Sequence, residues 1–167
     1  MSYGVFRSDL MTGTIDPSQL ENVRYYDSGA YQDIENGNVV LLDSLIGRDL
    51  WKAVKPAATS DIGDIVILGT PEMMYDETKK NLDEFINSKD IPARGYHLVK
   101  NNKFSVTADA LTNGTGSDMA VGNIVELQAG TKLKVVASAT ASSTVVGKII
   151  RIEAKGGYTW YVIRVTA

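Results

Sequence analysis

The stretch VGNIVELQAGTKLKVV, residues 121–136, decides how the rest of the chain is read, because NGNVVLLDSLIGRDLWKAV at residues 36–54 follows nearly the same pattern. Gly37-Asn38-Val39-Val40 matches Gly122-Asn123-Ile124-Val125 at an offset of 85 residues (122 against 37). Gly63-Asp64-Ile65-Val66 matches Gly147-Lys148-Ile149-Ile150 at an offset of 84 (147 against 63). Between these anchors each copy carries an apolar run, Leu50 to Val54 or Leu133 to Val136, and then small residues, KPAATSD or SATASST. One residue of slippage aligns them, so the pattern predicts an internal duplication.

The physics of the repeated start is simple. Gly allows the positive φ of a tight turn, the polar residue faces water, and the β-branched pair opens a strand. Each copy then amounts to a few short strands between turns, which predicts two related small barrel-like or sandwich units rather than a βαβ sheet with a helix in every connection. Alternation supports strands in KLKVV and in TWYVIRVTA. Asn101-Asn102 can take left-handed turn geometry, which predicts a hairpin between Tyr96–Val99 and Phe104–Thr107.

One segment breaks the β pattern. In TPEMMYDETKKNLDEFINSKDIP, Leu82, Phe85 and Ile86 fall at helical spacing, Asp76 offers an N-cap and Pro92 a stop. This predicts a short amphipathic helix joining the two copies, either covering an open barrel end or docking to a partner. Residues 1–30 have no counterpart in the second copy; IDPSQLENVRYY suits a turn of helix after Pro17, and the remainder reads as an extended arm. The expected organisation is mainly β, with an N-terminal arm over 1–30, a first β unit over 31–70, a helical connector over 71–91 and a second β unit over 92–167.

At 167 residues the chain is long enough for one ordinary domain or two very small ones. No apolar run approaches the roughly 20 residues that span a bilayer, and the opening MSYGVFRSDLMTG lacks a secretory pattern, so no membrane role and a cytoplasmic origin are expected. The absence of cysteine removes disulfides, thiolate zinc sites and cysteine nucleophiles together. A formal net charge of −3 gives no general reason to bind a phosphate backbone, so nucleic acid is not the favoured partner.

The search for chemistry yields little. His97 is the single histidine, set between Tyr96 and Leu98, and reads as structural because no second imidazole can share a metal. Asp61 and Asp64 flank Ile62-Gly63, and Asp76, Glu77, Asp83 and Glu84 cluster on the predicted helix; both groups read as solvated faces, and nothing singles out a hydrolytic pair. TNGTGSDMAVGN lacks the P-loop pattern and reads as a loop. No catalytic residue, metal site or cofactor is expected. Tyr25, Tyr26, Tyr31, Trp51, Tyr158, Trp160 and Tyr161 read as core or interface, with a sugar platform of Trp160 and Tyr158 as the alternative.

The succession IPARGYHLVKNNKFSVTADAL, VGNIVELQAGTKLKVV, TVVGKIIRIE and WYVIRV resembles the small accessory head proteins of tailed bacteriophages, called decoration or cement proteins. The resemblance is clearest over residues 92–167 and recurs more weakly over 30–70; the extra N-terminal copy departs from the family pattern. It implies a non-enzymatic protein on the surface of the virion head, assembled in the host cytoplasm, that binds the major capsid protein lattice as a small homo-oligomer. Binding the assembled lattice and not free subunits would stabilise the lattice by linkage. On this reading residues 1–30 are the docking arm, with Phe6, Tyr25, Tyr26 and Tyr31 as anchors, and deleting residues 1–25 leaves a folded protein that no longer binds. Another virion part, such as a head fibre base or a tail or baseplate component, and a carbohydrate-binding module are the alternatives; an enzyme ranks last.

Overall fold

The computed structural model describes residues 1–167. In chain order the strands are β1 (Phe6–Leu10), β2 (Leu20–Asp27), β3 (Ala30–Tyr31), β4 (Val39–Leu45), β5 (Leu50–Val54), β6 (Ile65–Leu68), β7 (Ala93–His97), β8 (Lys103–Thr107), β9 (Leu111–Asn113), β10 (Ile124–Glu126), β11 (Leu133–Val136), β12 (Val145–Lys155) and β13 (Tyr158–Val165). Helical structure is confined to short 3-10 turns, and no helix is long and apolar enough to cross a membrane. The protein is mainly β, as its turn-and-strand pattern predicts.

The sequence of β6, IVIL, has no polar alternation, as a strand buried on both faces requires. All four side chains are fully buried. Val66 and Leu68 point into a barrel, where they meet Val23, Val40, Ala53 and Ala93. The barrel closes because the six-stranded sheet β3-β2-β5-β4-β6-β7 also pairs β2 with β7. Ile65 and Ile67 point the other way, into a core of 19 buried residues shared with the seven-stranded sheet β1-β8-β13-β12-β10-β11-β9, which curls as a half-barrel. Phe104, Val135, Ile149 and Ile163 come from that second sheet and Val39 and Tyr96 from the barrel. Each fully buried apolar side chain contributes about 1.5–3 kcal/mol, so the shared layer is the main bond between the sheets.

The order β5-β4-β6-β7 recurs as β11-β10-β12-β13 with the same antiparallel sense, and each set carries a parallel neighbour, β2 beside β5 and β9 beside β11. The first sequence anchor marks an equivalent turn. Gly37 (φ 78°) and Gly122 (φ 94°) are both left-handed. Gly37 N donates to Leu68 O at 2.8 Å and Leu68 N to Asn38 O at 2.9 Å, and the same two bonds join Gly122 to Ile149 O and Ile149 to Asn123 O at 2.8 and 2.9 Å. The second anchor does not align. Gly63 lies in a 3-10 turn, whereas Gly147 sits inside β12; the residue facing Val40 is Val66, while Gly147 faces Val125. The two halves share a pairing order and one turn, not a residue-by-residue repeat.

Gly147 has a reason of its own. A Cβ there would collide with the Arg164 carbonyl across the β12–β13 pair, whereas at Gly63 it would meet only Asp61 Oδ1 at 3.3 Å. Gly147→Ala is therefore expected to cost about 1–3 kcal/mol through forced strand separation, and Gly63→Ala no more than about 0.5 kcal/mol. Urea midpoints at unchanged slope would measure both, and equal costs would refute the register described here.

Four expectations need correction. Residues 1–30 are not an arm: β1 is paired with β8, and β2 lies between β5 and β7 as a barrel stave. Only the turn after Pro17 is as expected, with Asp16 Oδ1 accepting from Ser18 N at 3.0 Å. Tyr96–Val99 and Phe104–Thr107 do not form a hairpin, because β7 pairs with β6 and β2 while β8 pairs with β1 and β13. Asn101 does adopt φ 73°, but the turn passes the chain from one sheet to the other. A unit boundary at residue 92 consequently detaches β7 from its own sheet.

The connector over 71–91 is not an amphipathic helix. Asp76 caps only a local turn, its Oδ1 accepting from Thr78 N at 2.9 Å, and the helical residues are Leu82–Glu84 alone. Three apolar residues within about one turn cannot stabilise a helix against the cost of nucleation. Tertiary bonds also compete: Asn87 exchanges backbone hydrogen bonds with Ile34 at 2.9 and 3.0 Å, and its side chain donates to Ile34 O and Asn36 Oδ1, both at 3.0 Å. That bridge holds the end of the connector extended.

Candidate functional site

Along β2, alternation sends Val23 and Tyr25 toward the barrel core and leaves Arg24 and Tyr26 on its outer side. The barrel pairing of β2 stops at Tyr25, which faces Ala53. Beyond it, Tyr26 and Asp27 pair only with Tyr31 and Ala30 of β3. Residues 26–31 therefore project as a hairpin. Ser28 (φ 51°) and Gly29 (φ 88°) make its turn with two left-handed residues, the combination whose twist suits a two-residue hairpin loop.

The hairpin carries an ordered aromatic pair. The Tyr26 and Tyr31 rings meet edge to face, 5.3 Å apart at 78°, and both are partly exposed. Arg24 Cζ stands 4.2 Å from the Tyr31 centroid and Lys52 Nζ 4.5 Å from that of Tyr26, so each ring is held by a cation. Lys52 is also 3.3 Å from Asp43, and Lys55 is 3.4 Å from Asp27. Such a pair offers rigid contact area at low entropic cost, which suits a docking anchor.

The four predicted anchors are thus divided. Tyr26 and Tyr31 come together at the surface. Tyr25 turns inward against the barrel core, where burial, helped by the charge of Asp27, pushes its phenol above the usual range. Phe6 belongs to the shared core, 5.6 Å from the Tyr96 ring and 6.1 Å from that of Phe104, and cannot contact a partner. The missed signal was Asp27-Ser28-Gly29-Ala30, whose Ser-Gly pair between two tyrosine-bearing strands marks a hairpin.

The sugar platform is absent from the surface. Trp160 is only 5% exposed; the Arg7 guanidinium lies 4.9 Å from its ring centroid, and Nε1 donates to Lys155 O at 3.0 Å. Tyr158 packs edge-on against it at 5.9 Å and donates its hydroxyl to Asp83 Oδ1 at 3.0 Å. Arg7 joins Asp9 at 2.6 Å, Ser105 Oγ at 3.3 Å and the Glu153 carboxylate. Its hydrogen bond holds Glu153 below the usual carboxylate range, while desolvation and the bond to Asp83 raise Tyr158.

The remaining polar candidates serve the fold. Glu21 links three barrel strands, accepting from Trp51 Nε1 at 2.8 Å and lying 3.2 Å from His97 Nε2. Asp61 caps its own turn, accepting from Gly63 N at 2.8 Å. Glu126, set in the apolar run Ile124-Val125-Glu126-Leu127, is fully buried and accepts from Thr140 N and Oγ1 at 2.9 and 2.7 Å. It thereby fastens the loop whose Thr144 N donates to Ala58 O at 2.7 Å, tying the half-barrel to the barrel. No three His, Cys, Asp or Glu side chains converge as a metal site would need. In comparisons with known proteins, no family model matches the chain, and neither does any curated protein or solved structure.

Proposed function

We propose that the protein is an accessory head component of a tailed bacteriophage, a decoration protein that binds the outer surface of the assembled capsid as a small oligomer and stabilises it. The sequence pattern over residues 92–167 supports this reading, and one structural observation carries it. A β body carries an aromatic hairpin beyond the last barrel pairing of β2, with Tyr26 and Tyr31 preset by Arg24 and Lys52. Preset aromatic anchors lose little freedom on docking, and a partner that binds only the assembled lattice shifts its stability by mass action.

The test is co-sedimentation of the full chain with mature and with unexpanded heads stripped of accessory proteins. Saturable binding confined to mature heads is expected. The Tyr26→Ala/Tyr31→Ala protein should keep its thermal unfolding nearly unchanged and lose at least about 100-fold in affinity, since each anchor of this kind contributes about 2 kcal/mol or more. Absence of binding by the unaltered protein would refute the capsid role; unimpaired binding by the double variant would remove the hairpin from it.

A further inference from the structure

The segment between β6 and β7 forms a second surface feature. A cleft of about 460 Å³ runs along it, within the range of ligand-sized pockets of about 300–1,000 Å³. Met73, Tyr75, Phe85, Ile86, Ile91 and Pro92 supply its apolar lining. Met73 and Ile91 are each 66% exposed and Tyr75 is 91% exposed, so three large apolar side chains stand in water along a single groove. Contiguous exposure of this kind marks interaction surfaces.

The walls are held in place. Asn36 donates through Nδ2 to Thr70 O at 2.8 Å and accepts from Thr70 N at 3.1 Å, which fixes one end. The Asn87–Ile34 bridge fixes the other, and Asp83 anchors the middle by accepting from Tyr158 and from Ser2 Oγ at 3.0 Å each.

Charge narrows the occupant. Residues 72–90 hold six acidic side chains (Glu72, Asp76, Glu77, Asp83, Glu84, Asp90) and three basic ones (Lys79, Lys80, Lys89), so this segment accounts for the whole formal charge of −3. The rest of the chain is balanced, 14 against 14. A second copy presenting the same face would bring like charges together, which argues against self-association here. Arg94 is the one charged residue of the lining itself. Acidic residues nevertheless adjoin the lining in sequence, Glu72 beside Met73, Asp76 beside Tyr75, Glu84 beside Phe85 and Asp90 beside Ile91. This rim favours a partner of opposite sign.

We infer that this cleft is a docking groove for an extended segment of another protein, one that inserts an apolar side chain among Met73, Phe85 and Ile91 and carries lysine or arginine on both sides. The groove shares no lining residue with the Tyr26–Tyr31 hairpin, although Arg24, which stands over Tyr31, donates to Lys89 O at 3.0 Å beside it. The inference does not depend on the capsid reading.

The probe is a capped nonapeptide with a central Leu-Phe-Leu flanked by glycine and lysine pairs, compared with its glutamate-flanked counterpart on the isotope-labelled full chain. The lysine form is expected to shift amide signals within residues 70–94 and to bind about tenfold or more tightly than the glutamate form at low salt. The gap should close at about 1 M salt, where the screening length falls to about 3 Å. Met73→Ser and Ile91→Ser, with amide signals elsewhere unchanged, should each weaken the lysine form severalfold. Equal binding of the two peptides, shifts confined to another surface, or no binding at about 1 mM would overturn the assignment. So would sedimentation showing a dimer that Ile91→Ser dissolves.

Discussion

A chain lacking residues 1–25 is expected not to fold. The deletion removes β1 with Val5, Phe6 and Met11, which are 1%, 8% and 2% exposed, and most of β2 with the fully buried Val23. β2 is the strand that joins β5 to β7, so its loss opens the barrel and leaves two edges unpaired. Truncating one large core side chain costs about 2–5 kcal/mol, and a whole domain is stable by about 5–15 kcal/mol, so the summed loss exceeds what holds the protein together. The truncated chain should show no cooperative urea transition. A transition near that of the full chain would mean that the barrel does not need β2. The hairpin substitutions, not the truncation, are therefore the proper probe of docking.

Phe104→Ala is expected to be the most damaging single truncation in the shared core. Phe104 is fully buried on β8, facing Ile163 across β13 and 6.1 Å from the Phe6 ring. Removing the ring leaves a cavity at the layer between the two sheets, a loss of about 3–5 kcal/mol. For a chain of this length about 1 kcal/mol shifts the melting temperature by about 2–4 °C, so a fall of roughly 10 °C is expected by scanning calorimetry. Leu10→Ala, at a side chain 65% exposed on the neighbouring strand, should stay within about 0.5 kcal/mol. Equal losses at the two positions would place the core elsewhere.

Strand character was legible wherever it depends on neighbours in sequence. KLKVV and TWYVIRVTA became β11 and β13, and Gly37 and Gly122 became equivalent left-handed turns. What periodicity cannot report is which strands pair. Asn101 took the predicted backbone angle, yet β7 and β8 went to different sheets, because hydrophobic packing between distant segments settles pairing. The match of Gly63 to Gly147 failed for a related reason: one glycine answers to a local turn and the other to a carbonyl across a strand pair. Of the four aromatics read as anchors, Tyr26 and Tyr31 lie at the surface while Tyr25 and Phe6 turn to the cores, a division that the sequence did not show. A surface aromatic and a core aromatic read alike until the fold assigns their faces.

A strand that faces two cores gives the two sheets a common hereditary fate. At Val66 a change is judged by the barrel and at Ile67 by the half-barrel, while both share one backbone. Drift in either half must be tolerated by the other through those four residues. The hairpin tip and the acidic connector contribute no residue to either apolar core. Substitutions there are expected to be the best tolerated, and the surfaces proposed for partners are the ones freest to diverge.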